Sequence, residues 1–280
     1  MRKKWKEFGL GLLNLVLVVL LIQQLQPALK RHVPLQGQLI LTLAIMLAYW
    51  AGSRLIERRQ PTELAPIRAL PEIASGLGLG LVLFTAVMAV LWAARLYQLS
   101  GTGSSPQLIS GLVAAVLAGI LEEILFRGFL LRITSKIVGT WGALLITAAL
   151  FGLAHAGNPG ATLGSSVAIA VEAGLLLGAT YTATQRFWLP IGLHIGWNFC
   201  EGSIFGMTLS GNVMQPGLIR GSLHGPTLLT GGAFGPEASI IAVVLCSGVA
   251  IFFLRMTVKK NRIEAPVWAL AEELELRVAS

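Results

Sequence analysis

Apolar residues in this chain gather into long runs divided by short polar breaks. Eight runs approach the length needed to cross a bilayer: about 8–25, 36–52, 73–97, 107–131, 138–156, 162–183, 188–206 and 238–257. A spanning helix needs roughly 20 mainly apolar residues to cover ~30 Å of hydrocarbon. The pattern therefore predicts an all-α, polytopic integral membrane bundle of about eight transmembrane helices. The breaks differ in character. Residues 53–72 form a charged connector with three prolines, 98–106 an uncharged loop, and 207–237 a Gly/Pro-rich loop with no helical period. Loops that long without structure of their own are more often functional than not, and a re-entrant or lid-like course is one reading of this one. The tail 263–280 carries apolar residues at helical spacing with acids between, which predicts a short helix lying on the membrane surface.

Composition agrees. Only 12% of the 280 residues are charged and 55% are hydrophobic, with a mean hydropathy of +0.75, whereas soluble domains carry about 25% charged residues. The net charge of +8 would suit nucleic acid if it were clustered, but it tracks the breaks instead. If the spans alternate, every basic residue except Lys30, Arg31, Arg95 and Arg220 falls on one side, with both termini. The positive-inside rule makes that side the cytoplasm, so no nucleic-acid partner is expected and the lipid bilayer is. The first run follows four basic residues but lacks a small-x-small cleavage site, and reads as an uncleaved signal anchor of a multi-pass plasma-membrane protein. Cys200 and Cys246 lie near or within spans without CxxC spacing and point to neither zinc nor a disulfide.

Ionisable side chains at bilayer depth cost at least about 2.5–3.5 kcal/mol and mark function by default. Here they form three short pieces at i,i+4 spacing: Glu122, Glu123 and Arg127 in the fourth span, Phe151 and His155 in the fifth, and His194 and Asn198 in the seventh. Glu123 precedes Arg127 by four residues, the favourable order for a helical ion pair. Glu122 points about 100° away and is left without a local partner, as a general base would be; hydration at a helix mouth is the plainer alternative. His194 and Asn198 share a face, and donors fixed in a water-poor pocket suit a developing oxyanion. Phe151 reads as packing that fixes the His155 ring. Glu172 and Glu201 are further candidates, with helix-to-helix hydrogen bonding as the alternative. A proton-coupled transporter remains open on these residues, although no internal repeat supports it. One geometric tension arises: in alternating spans His155 lies towards the outer side and His194 towards the cytoplasm. They meet only if the fifth span starts late, near Thr140, or if spans four and five are long and tilted.

The motifs "EEILFR" (122–127), "FGLAH" (151–155) and "HIGWN" (194–198) in that order resemble the CPBP family, the type II CAAX prenyl endopeptidases and related bacterial Abi-type proteins. The resemblance covers roughly 105–205, and "GGAFGPE" at 231–237 is similar to loops of some bacterial members. It divides the chain into N-terminal helices with their connector (1–104), a catalytic helical core (105–206), an outer loop (207–237), a last span (238–258) and a cytoplasmic tail (259–280). It implies an intramembrane endopeptidase of a bacterial plasma membrane acting on a membrane protein or peptide. Glu122, helped by His155, would activate water; Glu123, Arg127 and Phe151 would shape the site; and His194 and Asn198 would hold the oxyanion. No cofactor is then required. The alternatives are a zinc enzyme with Glu122, His155 and His194 as ligands, and a non-catalytic immunity or scaffold protein.

Overall fold

A computed structural model describes residues 2–30, 35–104 and 108–269. The chain runs through α1 (Arg2–Lys30), α2 (Leu35–Leu55), α3 (Ala69–Ala93), β1 (Tyr97–Thr102), α4 (Leu108–Glu123), α5 (Arg132–Ala154), α6 (Leu163–Ile169), α7 (Leu176–Thr184), α8 (Trp188–Phe199), β2 (Ile219–Leu223), α9 (Thr227–Thr230) and α10 (Ile240–Lys259). Three π-helical stretches join or extend these helices: Ile124–Leu131 between α4 and α5, Ala170–Leu175 between α6 and α7, and Cys200–Ile204 after α8. The protein is a polytopic helical membrane protein.

Six helical stretches among the described residues are long and apolar enough to cross a membrane. The eight runs of the sequence map onto them with two differences. Leu108–Ala154 is one stretch of 47 residues, but Gly139 adopts φ 75° and ψ 171° inside it, so the fourth and fifth runs meet at a sharp break. The seventh run is α8 with its π turn, shorter than the others and buried on nearly all sides. The fifth span therefore begins at Thr140, the late start that lets His155 and His194 share a site. Gly139 is required there: its φ is positive, and a Cβ would lie 2.9 Å from the Glu264 carbonyl oxygen.

The close approach of α3 and α8 positions the site. A Cβ on Gly76 would stand 2.3 Å from the Leu189 carbonyl, and one on Gly80 2.3 Å from that of Leu193; Gly192 and Gly196 meet Ile73 and Leu77 in the same way. Small residues let membrane helices pack backbone to backbone. His194 sits between the two glycines of α8, so this seam fixes its height and rotation.

The breaks are more ordered than their composition predicts. The uncharged loop and the Gly/Pro-rich loop are not without structure: β1 and β2 pair antiparallel with a bulge between Leu99 and Gly101, a small sheet added to the all-α bundle. The connector 53–72 makes two 3₁₀ turns (Thr62–Leu64 and Pro66–Arg68); it buries Glu63 and half-buries Glu57 and Arg59, while Arg54, Arg58 and Arg68 stay exposed. Glu57 accepts from Asn14 Nδ2 at 2.8 Å and from Arg132 Nη2 at 3.0 Å, while Arg59 donates to Glu57 and Glu63. Tyr49 donates to Glu63, and its hydroxyl lies 3.3 Å from the Gly128 carbonyl. This network grips the π stretch that carries Arg127. After α10 the chain runs extended through 262–266 and binds Thr140 with both backbone groups of Glu264. A helix begins at Val267, and the rest of the expected tail helix lies outside the described residues.

Candidate active site

Glu122 and Glu123 end α4, where the chain widens into the π stretch Ile124–Leu131. Arg127 still reaches back: its Nη1 donates to Glu123 Oε1 at 2.8 Å, with both side chains almost fully buried. Its Nη2 donates to the carbonyls of Ala173 and Gly174 at 3.2 and 3.0 Å. Those two residues lie in the second π stretch. Rewinding a helix from i→i+4 to i→i+5 bonding frees a carbonyl at the changeover, and a buried carbonyl must find a donor. Arg127 supplies it and locks α4 to the Ala170–Leu175 segment.

Glu123 Oε1 takes a second partner, His194 Nδ1, at 3.2 Å. The other ring nitrogen, Nε2, faces Glu122 Oε2 at 3.9 Å. That oxygen of Glu122 is itself buried and has no hydrogen-bond partner among the described residues. His155 caps α5 with Nδ1 2.8 Å from the Phe151 carbonyl. A carbonyl only accepts, so Nδ1 carries the proton and Nε2 of the neutral ring is left as an acceptor. Phe151 stands between the histidines, its centroid 4.8 Å from His155 and 6.4 Å from His194, with the Arg127 guanidinium over its face at 5.0 Å.

Glu122, Phe151, His155, His194 and Asn198 all line one cavity of about 220 Å³. Glu123 and Arg127 stand behind that wall. The cavity has a roof: Leu209, Ser210 and Asn212 of the long loop line it, held by Asn158 Nδ2 donating to the Ser210 carbonyl at 2.9 Å and by Gly211 N donating to Phe234 at 2.7 Å. Of the two extra acids weighed from sequence, Glu172 lines the cavity and Glu201 lies behind it, accepting from Trp197 Nε1 at 3.0 Å. A third acid was missed. Glu237, on the 3₁₀ turn Pro236–Ala238, lines the cavity with one oxygen accepting from Ser210 N at 2.6 Å. The available signal was that it is the sole acid in the loop 207–237.

Zinc needs three or four donors converging at about 2.0–2.3 Å. Among the described residues no group of three His, Cys, Asp or Glu side chains is placed to hold a metal ion. Glu122, His155 and His194 share the cavity without converging as ligands, so this donor set does not fit a zinc site.

The three motifs thus come together from three separate helices into one water-accessible, mostly apolar chamber. Residues 104–200 match the family model for Rce1-like type II CAAX prenyl endopeptidases. The match makes this stretch, about a third of the chain, similar to the type II CAAX prenyl endopeptidases. It contains every residue of the three motifs, whereas Glu201, the roof and α10 lie beyond its end. No curated protein and no solved structure matches the chain.

Proposed function

We propose that this CAAX-protease-like chain hydrolyses a peptide bond within the membrane by glutamate-activated water. The observation that carries the reading is the Oε2 of Glu122, which accepts no hydrogen bond among the described residues, in a cavity shared with His155, His194 and Asn198. Water held between Glu122 and His155 Nε2 finds two acceptors. Glu122 takes its proton as the oxygen attacks the substrate carbonyl carbon, a step for which a positioned base typically contributes 10²–10⁴-fold. Asn198 donates to the oxyanion through its amide. His194 gives Nδ1–H to Glu123, so it donates to the oxyanion only when Nε2 is protonated as well.

The reading assigns water activation to a carboxylate rather than to zinc, in keeping with the unconverged donor set. It places the termini in the cytoplasm of a bacterial cell, following the basic residues, and leaves immunity as a possible physiological setting of the same hydrolysis. The test is comparative membrane proteomics of a wild-type strain against Glu122→Gln. The proposal expects at least one longer precursor to accumulate in the variant. Identical membrane proteomes, with the phenotype of a deletion strain fully restored by Glu122→Gln, would instead make the chain a scaffold.

A further inference from the structure

A peptide amine leaves only when its nitrogen gains a proton, and the groups named so far are engaged elsewhere. Glu122 and His155 accept from water, and His194 and Asn198 donate to oxygen. We propose that Glu237, carried into the cavity by the roof loop, protonates the leaving nitrogen; this rests on the hydrolytic reading above.

The loop is built to insert this carboxyl. Gly235 turns at φ 125°, where a Cβ would stand 2.1 Å from the Thr208 carbonyl, and Pro236 opens the following 3₁₀ turn. Glu237 ends 3% exposed, with Oε1 fixed by Ser210 N at 2.6 Å. Behind it lies Glu201, fully buried, whose Oε2 is occupied by Trp197 while Oε1 has no ordinary donor among the described residues. Glu201 lies close enough to Glu237 for the two carboxyls to act on each other electrostatically. Two carboxyls facing each other in an apolar place cannot both ionise and must share a proton. Glu172 adds a third acid beside them, and His155 is near enough to act on Glu237 electrostatically. Burial raises the Glu237 carboxyl above its ordinary range, which favours the protonated form that a general acid needs. Only Glu237 of the pair lines the cavity, so it is the outlet for that proton.

The step balances. The C–N bond breaks with its electron pair on nitrogen, and nitrogen takes the proton from Glu237. Glu122 meanwhile holds the proton removed from water. Transfer of that proton back to the Glu201–Glu237 pair through solvent restores the enzyme, leaving peptide plus water converted to acid plus amine.

The test uses the purified full-length protein and two internally quenched S-prenylated C-a-a-X peptides, one with the natural scissile amide and one with its N–H replaced by sulfur. A thiolate leaves without a proton. Glu237→Gln keeps the acceptor for Ser210 and is expected to slow the amide by about 10²-fold while changing the thioester less than about threefold. Equal losses on both substrates, or no loss on either, overturn the proposal. The wild-type protein gives a second reading that needs no variant: an alkaline fall in kcat on the amide that is absent on the thioester supports the assignment, and superimposable profiles oppose it. Glu122→Gln serves as the separate control. It should stop both substrates, and its failure to do so would remove Glu122 as base without touching the leaving-group comparison.

Discussion

His194 Nδ1 stands 3.2 Å from Oε1 of Glu123, the same oxygen that accepts Arg127 Nη1 at 2.8 Å. One buried oxygen thereby ties the motifs of α4 and α8 together, and through Arg127 ties both to the π stretch Ala170–Leu175. The second glutamate of the motif is the node that orients the imidazole, while the first lines the cavity with an oxygen that accepts no hydrogen bond among the described residues.

That arrangement predicts strong coupling between Glu123 and Arg127. Breaking a buried ion pair from one side leaves an uncompensated charge and typically costs about 3–5 kcal/mol. Glu123→Gln and Arg127→Met should each lower the melting temperature in detergent substantially. The double variant should be more stable than the sum of the two singles implies. Additive losses would show that the pair is not the unit.

The α3–α8 seam predicts an inverted glycine effect. In an open helix Gly→Ala gains about 1 kcal/mol. At Gly80 or Gly192 the added methyl would meet a carbonyl oxygen at 2.3 Å, so either Ala variant should destabilise the protein and reduce activity by displacing His194. Gly78, which has nothing within 4 Å of a built Cβ, is the control and should tolerate Ala.

Acid sensitivity should arise in the connector. Burial alone would raise the Glu57 carboxyl, but Arg132, the Asn14 hydrogen bond and Arg59 outweigh it and hold the carboxyl below its ordinary value. A group depressed in the folded state stabilises above its unfolded value, about 4.3 for glutamate, and loses that contribution as pH falls through the folded value. Melting temperatures measured between pH 6 and 3 should fall for the wild type and vary less with pH for Glu57→Gln, which starts lower. Parallel curves would place the acid sensitivity elsewhere.

Asn198→Ala should remove one oxyanion donor, lowering kcat by roughly 10²–10³ with KM changed only a few fold. A loss confined to KM would make Asn198 a substrate-binding residue instead.

Much of this was legible in the hydrophobic pattern. All the membrane-crossing helices follow from run length, and the Glu123–Arg127 pair follows from i,i+4 spacing alone. Gathering the motifs into one cavity required the break at Gly139, which periodicity cannot reveal because the apolar pattern continues through it. The π stretches around Arg127, Glu172 and Glu201 were also hidden, since one extra residue per turn shifts a face without changing composition. Residues 53–72 read only as a charged connector because the partners of Glu57, Arg59 and Glu63, namely Asn14, Tyr49 and Arg132, come from outside that segment. Glu237 escaped for the same reason: nothing near it in sequence says that Ser210, Glu201 and the cavity converge on it.

The most direct measurement of the central claim is turnover of the S-prenylated C-a-a-X reporter by purified Glu122→Gln, with folding checked by melting temperature. Hydrolysis by glutamate-activated water predicts a wild-type melting transition and cleavage reduced by at least about 10²-fold. Wild-type turnover by the folded variant would contradict it.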